Sequence, residues 1–338
     1  MSWTAERLSH LATGYWPAAT LNAAVTLGVF DALDAAPASA AAVAEKTDAD
    51  AARLVSLLDA LVAIGLLEKS ETTYALSADA RPLLARSSPT CLLDAFAYNA
   101  DLYRQWAGLA DVIRGQDPTA GRQQLGGDPS ATRRFVRGME AKAHAFSPAI
   151  ADTIDLTGVT SLLDVGAGPG TLTRLLAERY ARLRPTLSDL PPVLAAAKDL
   201  CAASPVADRL QFHAADYRTD PLPAGFDAVL YAGALHQETP ASAAALFGKF
   251  AKTVKPGGRV VVVDLMLDPT RTLPAFSAMF QLNMLLLRPG SRVFGVEETA
   301  ALLKTAGFGQ LQTSEVLGTP YAIVTGVLAP APGTPAAG

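Results

Sequence analysis

The hydrophobic positions of residues 1–86 are spaced as in short amphipathic helices that lead into a hairpin. Apolar residues recur every three to four positions over 21–33, and similar spacing returns over 40–45 and 51–64. Two short extended runs around a polar turn follow in 66–76. Residues suited to cap or end these helices stand at their boundaries: Ser39, Asp48 or Asp50, and Gly65. Three helices followed by a hairpin is the order of a winged-helix module.

Residues 87–155 have a helical pattern that is interrupted by a stretch rich in Gly, Pro and Asp at 115–130. Within this region Phe135 and Met139 lie on one face of a predicted helix. Such a face is suited either to ordinary core packing or to forming one wall of a substrate cavity. We predict a helical connector over 87–155 that contributes to the substrate pocket.

After residue 156 the pattern changes to short β-branched runs that alternate with helices rich in Ala and Leu. This alternation is typical of a parallel sheet whose strands are joined by crossover helices. A turn at 318–320 separates the last two runs and predicts an antiparallel pair. The predicted strands are 161–165, 184–188, 209–214, 226–232, 258–265, 311–317 and 321–328. We therefore expect an α/β, Rossmann-like domain over 156–328, seven-stranded with the last strand pair antiparallel, and a disordered tail over 329–338.

The charge of the winged-helix module argues against a role in DNA binding. Its helix over 51–64, which stands in the position of a recognition helix, has Arg53 as its only basic residue. The remaining surface of that helix is apolar and is suited to burial against protein. We predict that residues 1–86 form a dimerisation domain. A transcriptional regulator that senses a metabolite is the alternative for this module.

Composition narrows the class of protein further. The chain has 338 residues, with 28 Lys and Arg against 32 Asp and Glu, and this mild acidity offers no attraction to nucleic acid. Cys91 and Cys201 are far apart and outside any Cys/His cluster, so neither a disulfide nor a metal site is predicted. The N-terminus lacks a secretory pattern, and no apolar run approaches the ~20 residues that span a bilayer. We expect a cytoplasmic protein that is not embedded in a membrane.

A glycine-rich turn after the first predicted strand of the α/β domain is the strongest local motif. Gly166, Gly168 and Gly170 allow the backbone to approach a ligand and to direct amide groups at it. A dinucleotide fingerprint has the spacing G-x-G-x-x-G, but here Thr171 occupies the third position. Asp164 adds a carboxylate on the strand, which suits a cationic, amino-acid-like ligand better than a pyrophosphate. The motif favours S-adenosylmethionine over NAD.

The ends of the next two predicted strands carry further acids. Asp189, followed by Leu190, stands about twenty residues beyond the glycines, where a carboxylate can accept hydrogen bonds from both ribose hydroxyls. Asp216 ends the third strand and is placed to accept from an adenine amino group, with Tyr217 beside the ring. Since open α/β sheets bind ligands at the carboxyl edge of the strands, these residues predict one cofactor site.

Taken with further motifs, these residues resemble the small-molecule O-methyltransferases that carry an N-terminal winged-helix dimerisation domain ahead of a Rossmann-like S-adenosylmethionine domain. That family includes plant caffeate-type enzymes and bacterial enzymes of polyketide, phenazine and carotenoid metabolism. The matching segments are 27–33, 61–67, 163–170, 188–191, 234–236 and 255–259, followed by Asp264.

The resemblance implies a homodimer that uses S-adenosyl-L-methionine without a metal, releases S-adenosyl-L-homocysteine and methylates an aromatic or polycyclic molecule. It implies that the glycine loop and Asp189 hold the methionine and ribose portions, and that Asp216 and Tyr217 hold the adenine. His236 matches the general base that removes a phenol proton. Asp264 matches an acid that orients this base. A neutral imidazole is suited to accept a proton near neutral pH.

The chain also departs from the family pattern. Val293 stands where a second acid usually steers the base, and Ala232 replaces a lysine four residues before the base. The usual His-Asp-Trp motif reads His-Gln-Glu at 236–238. Residues 264–298 resemble the bacteriochlorophyllide C-20 methyltransferases, which methylate carbon. Both O-methylation and C-methylation therefore stay open.

Met279, Phe280 and Asn283 fall on a predicted helix between the fifth and sixth strands, where the family builds its acceptor pocket. Met and aromatic side chains suit a flat acceptor, although core packing explains them equally well. The predicted reaction is methylation of a hydroxyl on an aromatic or polycyclic small molecule. The alternatives are C-methylation of a polycyclic or tetrapyrrole-like acceptor and a cofactor-binding, pericyclase-like relative that transfers no methyl group.

Overall fold

A computed structural model of the protein describes residues 2–116, 128–288 and 290–329. Most of the stretch at 115–130 and all but the first residue of the tail predicted over 329–338 lie outside these residues. The chain divides into two compact units, Met1–Gln105 and Trp106–Gly338. No helix among the described residues is long and apolar enough to cross a bilayer.

The first unit packs its helices against a small antiparallel sheet. The helices are α1 (Ala5–Thr13), α2 (Tyr15–Leu27), α3 (Val29–Leu33), α4 (Ala40–Thr47), α5 (Ala51–Ala63), α6 (Arg81–Leu84) and α7 (Leu93–Trp106). The strands are β1 (Ala38–Ser39), β2 (Leu67–Ser70) and β3 (Thr73–Leu76). The strands have the order β1-β3-β2, and β2 and β3 form the predicted hairpin.

Local sequence explains where these helices begin and end. Ser39 accepts a hydrogen bond from the Ala42 N–H at the start of α4, and Asp50 accepts one from the Arg53 N–H at the start of α5. Asp48 instead has a left-handed conformation at the end of α4. The prediction of a single helix over 21–33 was wrong, because Gly28 has φ +77° and divides the apolar stripe between α2 and α3.

The second unit is an α/β domain, as predicted. Its helices are α8 (Leu109–Ile113), α9 (Pro129–Thr153), α10 (Thr171–Arg179), α11 (Pro191–Cys201), α12 (Pro240–Thr253), α13 (Ala275–Leu287) and α14 (Val296–Thr305). Its strands are β4 (Ser161–Val165), β5 (Arg184–Asp189), β6 (Gln211–Ala214), β7 (Phe226–Ala232), β8 (Val254–Leu265), β9 (Phe308–Glu315) and β10 (Tyr321–Leu328). Short 3₁₀ turns occupy Ala207–Arg209 and Leu235–Gln237.

The strands of this unit, over the described residues, form one sheet of seven in the order β6-β5-β4-β7-β8-β10-β9. Strands β4 to β8 pair in parallel, and β10 is antiparallel to both β8 and β9, which confirms the predicted antiparallel pair. β9 begins three residues before the predicted strand because the side chain of Phe308 is buried in the core at 1% exposure. β6 begins later than predicted because a 3₁₀ turn occupies 207–209.

This topology fixes where ligand-contacting loops lie. Parallel strands place their carboxyl ends on one edge of the sheet, so the segments that follow β4, β5, β6 and β7 lie side by side. These segments contain the glycine turn, Asp189, Asp216 and His236. The predicted cofactor and base residues are therefore brought to a single edge.

Candidate active site

The turn between β4 and α10 contains three glycines at alternate positions, and all three have positive φ. Gly166, Gly168 and Gly170 have φ of +69°, +53° and +74°. A Cβ built on Gly170 would lie 2.3 Å from Cδ2 of Leu187, so this position requires glycine for space as well as conformation. A Cβ on Gly168 would meet nothing within 4 Å, so the backbone here faces open space.

Asp189, at the end of β5, holds this turn. Its Oδ2 accepts a hydrogen bond of 2.8 Å from the Gly168 N–H, and its Oδ1 accepts one of 2.7 Å from the Leu190 N–H. Burial raises the pKa of the Asp189 carboxyl, and these two backbone donors partly offset that rise. Each carboxylate oxygen has a second lone pair, so the group retains the capacity to accept from a ligand.

Asp164 lies beneath the turn. It is 3% exposed, and its Oδ2 accepts a hydrogen bond of 2.6 Å from the hydroxyl of Thr173 in α10. Burial raises the pKa of Asp164 to about 7 against the lowering effect of that hydrogen bond, and the charge of Asp189 adds to the rise. In this position Asp164 ties β4 to the first turns of α10.

The loop after β6 places Asp216 and Tyr217 at the same edge. Oδ1 of Asp216 accepts a hydrogen bond of 3.0 Å from the Arg218 N–H, which closes a local turn. A Cβ built on Gly166 would lie 3.4 Å from Cε1 of Tyr217 and 3.6 Å from Cβ of Ala234. The Tyr217 ring and the segment before His236 therefore both border the glycine turn.

His236 and Asp264 form a close pair at the ends of β7 and β8. Nδ1 of His236 is 2.7 Å from Oδ1 of Asp264, and the His236 N–H donates to Oδ2 at 3.1 Å. The Leu265 N–H also donates to Oδ1, at 2.7 Å. Because a carboxylate only accepts hydrogen bonds, Nδ1 carries the ring proton in the neutral imidazole, and the lone pair is then on Nε2. Nε2 has no hydrogen-bond partner within 2–116, 128–288 and 290–329.

Helix α13 contributes an aromatic neighbour to this pair. The ring of Phe280 is perpendicular to the imidazole of His236, with 4.9 Å between ring centroids and 89° between planes. Phe276 lies parallel to Phe280 at 6.5 Å and is 57% exposed. Met279 is 61% exposed, and the buried side chain of Asn283 accepts a hydrogen bond of 3.2 Å from Nε1 of Trp106.

The predicted pocket residues of α9 have different surroundings. Phe135 packs in an apolar cluster with Val136, Val193 and Leu190, the residue that follows Asp189. This contact corresponds to core packing between α9 and α11. Met139 is half-buried on the same helix. Glu140, which the sequence did not single out, accepts hydrogen bonds from the Thr171 hydroxyl and the Arg174 guanidinium at the start of α10.

The position where the family usually has a second acid is occupied here by a valine. Val293 is 0% exposed, its N–H donates to Oε1 of Gln281 at 2.6 Å, and its carbonyl accepts from the guanidinium of Arg271 at 2.8 Å. Glu238, two residues after His236, is 2% exposed and accepts hydrogen bonds from Tyr217, Arg218 and Ser242. The sequence showed Glu238 only as a departure from a motif.

Comparison with protein families gives matches across both units. Residues 106–309 match the O-methyltransferase domain, and residues 9–86 match the O-methyltransferase dimerisation domain. Among the described residues, no group of three or more His, Cys, Asp or Glu side chains is arranged to hold a metal ion.

Individual relatives align over nearly the whole chain. The 3-hydroxy-5-methyl-1-naphthoate 3-O-methyltransferase of Streptomyces sahachiroi is 30% identical over 318 residues, covering 90% of both chains. The N,N-dimethyltransferase OxyT of Streptomyces rimosus is 30% identical over 92% of this chain and 93% of its own. The crystal structure of human N-acetylserotonin methyltransferase in complex with S-adenosylmethionine has a TM-score of 0.86 at 26% identity, covering 97% and 99% of the two chains. This chain is therefore a member of the O-methyltransferase family, with the family's dimerisation domain preceding its methyltransferase domain.

Proposed function

We propose that this protein transfers a methyl group from S-adenosylmethionine to a hydroxyl of an aromatic or polycyclic small molecule, with His236 as general base. One observation carries the proposal: His236, which is hydrogen-bonded to Asp264, follows Ala234 by two residues, and Cβ of Ala234 is 3.6 Å from a Cβ built on Gly166. The segment that leads to His236 thus borders the glycine turn that is suited to the cofactor.

The residues at this edge fit the cofactor's groups. The open face at Gly168 leaves room for a ligand against the backbone, and Asp189 has unused lone pairs for the ribose hydroxyls. Asp216 and Tyr217 are suited to the adenine, and Asp164, Gly166, Gly170 and Leu190 shape the surrounding turn. When bound, S-adenosylmethionine supplies an electrophilic methyl group on a positively charged sulfur. The relative crystallised with S-adenosylmethionine supports this assignment.

The hydrogen bonds of His236 support its role as the base. Its Nε2 accepts the acceptor's hydroxyl proton as the oxygen forms its bond to the methyl carbon and the carbon–sulfur bond breaks. The imidazolium that results is stabilised by Asp264, whose carboxylate is 2% exposed and already bonded to Nδ1. Asp264 also fixes the tautomer, so that the free nitrogen is the one that receives the proton.

The acceptor's chemical class is suggested by α13. Phe276 and Phe280 form a parallel pair that extends from an exposed position to the imidazole of His236. A planar ring can stack on such a pair, which favours an aromatic acceptor over a small aliphatic alcohol. The relative named for a naphthoate substrate supports the same class.

A second candidate is methylation of an activated carbon. Val293, which stands where the family usually has a second acid to steer the base, is buried and has no carboxylate. An acceptor with an acidic carbon or an already ionised group depends less on a base.

Methyl transfer from isotopically labelled S-adenosylmethionine to a panel of phenols, naphthols and hydroxyquinones tests the proposal, with product structures determined by NMR. We expect O-methyl products. Products methylated at carbon would replace the first proposal with the second. Failure to bind S-adenosylhomocysteine in a calorimeter would overturn both.

We also propose that two copies associate through the first unit. Helix α1 has no buried residue in the single chain, although it has large apolar side chains. The exposed apolar residues of this region are Trp3, Leu8, Leu11, Tyr15 and Trp16. An apolar face of this kind, on a chain that matches a dimerisation domain, is suited to a second copy. Light scattering should give twice the 35.1 kDa chain mass, and a monomer at micromolar concentration would overturn this proposal.

A further inference from the structure

A buried carboxylate outside the predicted site connects the segment after His236 with the loop after β6. Glu238 follows the 3₁₀ turn Leu235–Gln237, and its side chain is 3% exposed. A buried carboxylate is costly unless its lone pairs are satisfied and its charge is compensated. For Glu238 the positive charge comes from Arg218, and the hydrogen bonds come from Tyr217, Arg218 and Ser242.

Glu238 satisfies these requirements with three side chains. Its Oε1 accepts from the Tyr217 hydroxyl at 3.1 Å and from Nε and a terminal nitrogen of Arg218 at 3.0 and 2.9 Å. Its Oε2 accepts from the Ser242 hydroxyl at 2.6 Å. The Arg218 guanidinium also lies over the Tyr217 ring, 5.1 Å from its centroid. The phenol, the guanidinium and the carboxylate therefore form a closed group.

This group determines the orientation of the Tyr217 ring. One edge of the ring borders the glycine turn, with Cε1 at 3.4 Å from a Cβ built on Gly166. The hydroxyl, on the ring carbon next to Cε1, is bonded to Glu238, and the ring contacts Tyr231 edge-on at 5.9 Å. Burial raises the pKa of Tyr217, so the phenol stays protonated and remains the donor.

The backbone of the same loop is held by other residues. Nζ of Lys249 donates to the carbonyls of Tyr217, Arg218 and Asp220 at 2.8, 3.0 and 2.9 Å. The carboxylate of Asp220 accepts from the Asp216 N–H at 2.9 Å. Because the loop backbone has these anchors, the contribution of Glu238 is to the side chains of Tyr217 and Arg218 and not to the path of the chain.

We infer that Glu238 is a positioning residue for the cofactor: by holding the Tyr217 phenol and the Arg218 guanidinium, it sets the ring against which adenosine binds. This inference rests on the proposed function. Glu238 is the third residue of the His-Gln-Glu segment at 236–238, and by this inference it contributes to cofactor affinity as well as to packing.

Calorimetric titration of S-adenosylhomocysteine into the full-length protein and three variants tests the inference. Glu238→Gln keeps the side-chain shape and removes the charge, and should weaken binding about tenfold. Tyr217→Phe keeps the ring and removes the hydroxyl, and should weaken binding by a smaller factor. The double variant should bind no more weakly than Glu238→Gln, because Glu238→Gln alone already removes the charged partner of the Tyr217 hydroxyl.

Asp227→Asn is the matched control. Asp227 also accepts several hydrogen bonds, from Lys255, Thr160 and Ser161, but it lies where β7 begins, at the opposite edge of the sheet. Asp227→Asn should lower the melting temperature with unchanged affinity for S-adenosylhomocysteine. If Glu238→Gln bound S-adenosylhomocysteine within twofold of the wild-type affinity and only its melting temperature were lower, the inference would be overturned and the proposed function would remain intact. Absence of binding by the wild type would overturn both.

Discussion

The ring of Phe280 stands perpendicular to the imidazole of His236 at a centroid distance of 4.9 Å. Asp264 holds Nδ1 of the same imidazole at 2.7 Å. The imidazole is thus held by a carboxylate at Nδ1 and contacted by an aromatic ring perpendicular to its own plane. We therefore expect Phe280 to restrain the orientation of the imidazole in addition to Asp264.

Phe280→Leu should lower turnover about fivefold, since a perpendicular aromatic pair contributes about 1 kcal/mol beyond area burial. Affinity for S-adenosylhomocysteine should stay at the wild-type value, and steady-state kinetics with calorimetry measure the two. Phe276→Leu is the comparison, because Phe276 stacks on Phe280 and is 57% exposed. It should raise KM for the acceptor more than it lowers kcat. Equal effects of the two substitutions on kcat would contradict the restraint of His236 by Phe280.

His236→Ala should reduce kcat roughly 10²-fold or more on a phenolic acceptor, because the hydroxyl proton then lacks an acceptor. Binding of S-adenosylhomocysteine should change little. An acceptor whose hydroxyl is already ionised at the assay pH should lose much less rate. Wild-type turnover on a neutral phenol would exclude His236 as the base.

Asp189→Ala should give the reverse pattern. It removes the acceptor for the Gly168 N–H and the proposed acceptor for the ribose hydroxyls, so affinity for S-adenosylhomocysteine should fall at least about tenfold. At saturating S-adenosylmethionine, kcat should recover most of its wild-type value. A variant with wild-type affinity would show that the ribose is held elsewhere.

The pattern of strands and glycines was sufficient to predict the α/β fold and the shared edge of Asp189, Asp216 and His236. Such predictions succeed because strand periodicity and parallel topology together decide where carboxyl ends meet. The break at Gly28 was not predicted, because the apolar stripe continues on both sides of it.

Side-chain contacts between segments far apart in the chain could not be predicted from the sequence. Glu238 follows β7 and contacts Tyr217 and Arg218, which follow β6, although β5 and β4 lie between these two strands in the sheet. The contact of Phe280 with His236 likewise depends on how α13 packs, and a helical pattern specifies which residues share a face but not what they face.

Gly170→Ala and Gly168→Ala should separate steric from conformational strain in the glycine turn. Both residues have positive φ, which costs a residue with a Cβ about 1 kcal/mol. Only at Gly170 would the new Cβ also lie 2.3 Å from a Leu187 side-chain atom. Chemical denaturation should show a larger loss of unfolding free energy for Gly170→Ala than for Gly168→Ala. Equal losses would mean that Leu187 moves away freely.

Asp164 should make the protein less stable as pH rises through the range from about 4 to 7. Burial raises its pKa from 3.8 to about 7, so the folded protein keeps a proton that the unfolded chain has released in this interval. Stability associated with this group is complete below pH 3.8 and is lost as pH approaches 7. The full difference corresponds to at most about 4 kcal/mol.

Asp164→Asn, which resembles the protonated carboxyl, should remove this component, so its unfolding free energy relative to wild type should increase from pH 4 to pH 7. Asp227→Asn provides the opposite sign. Burial raises the pKa of Asp227, but hydrogen bonds from Lys255 and Thr160 outweigh that effect and lower it, so its stabilisation is lost as pH falls. Urea unfolding at half-unit pH intervals measures both. An Asp164→Asn curve parallel to that of the wild type between pH 4 and 7 would show that the buried carboxyl is already ionised in the folded protein.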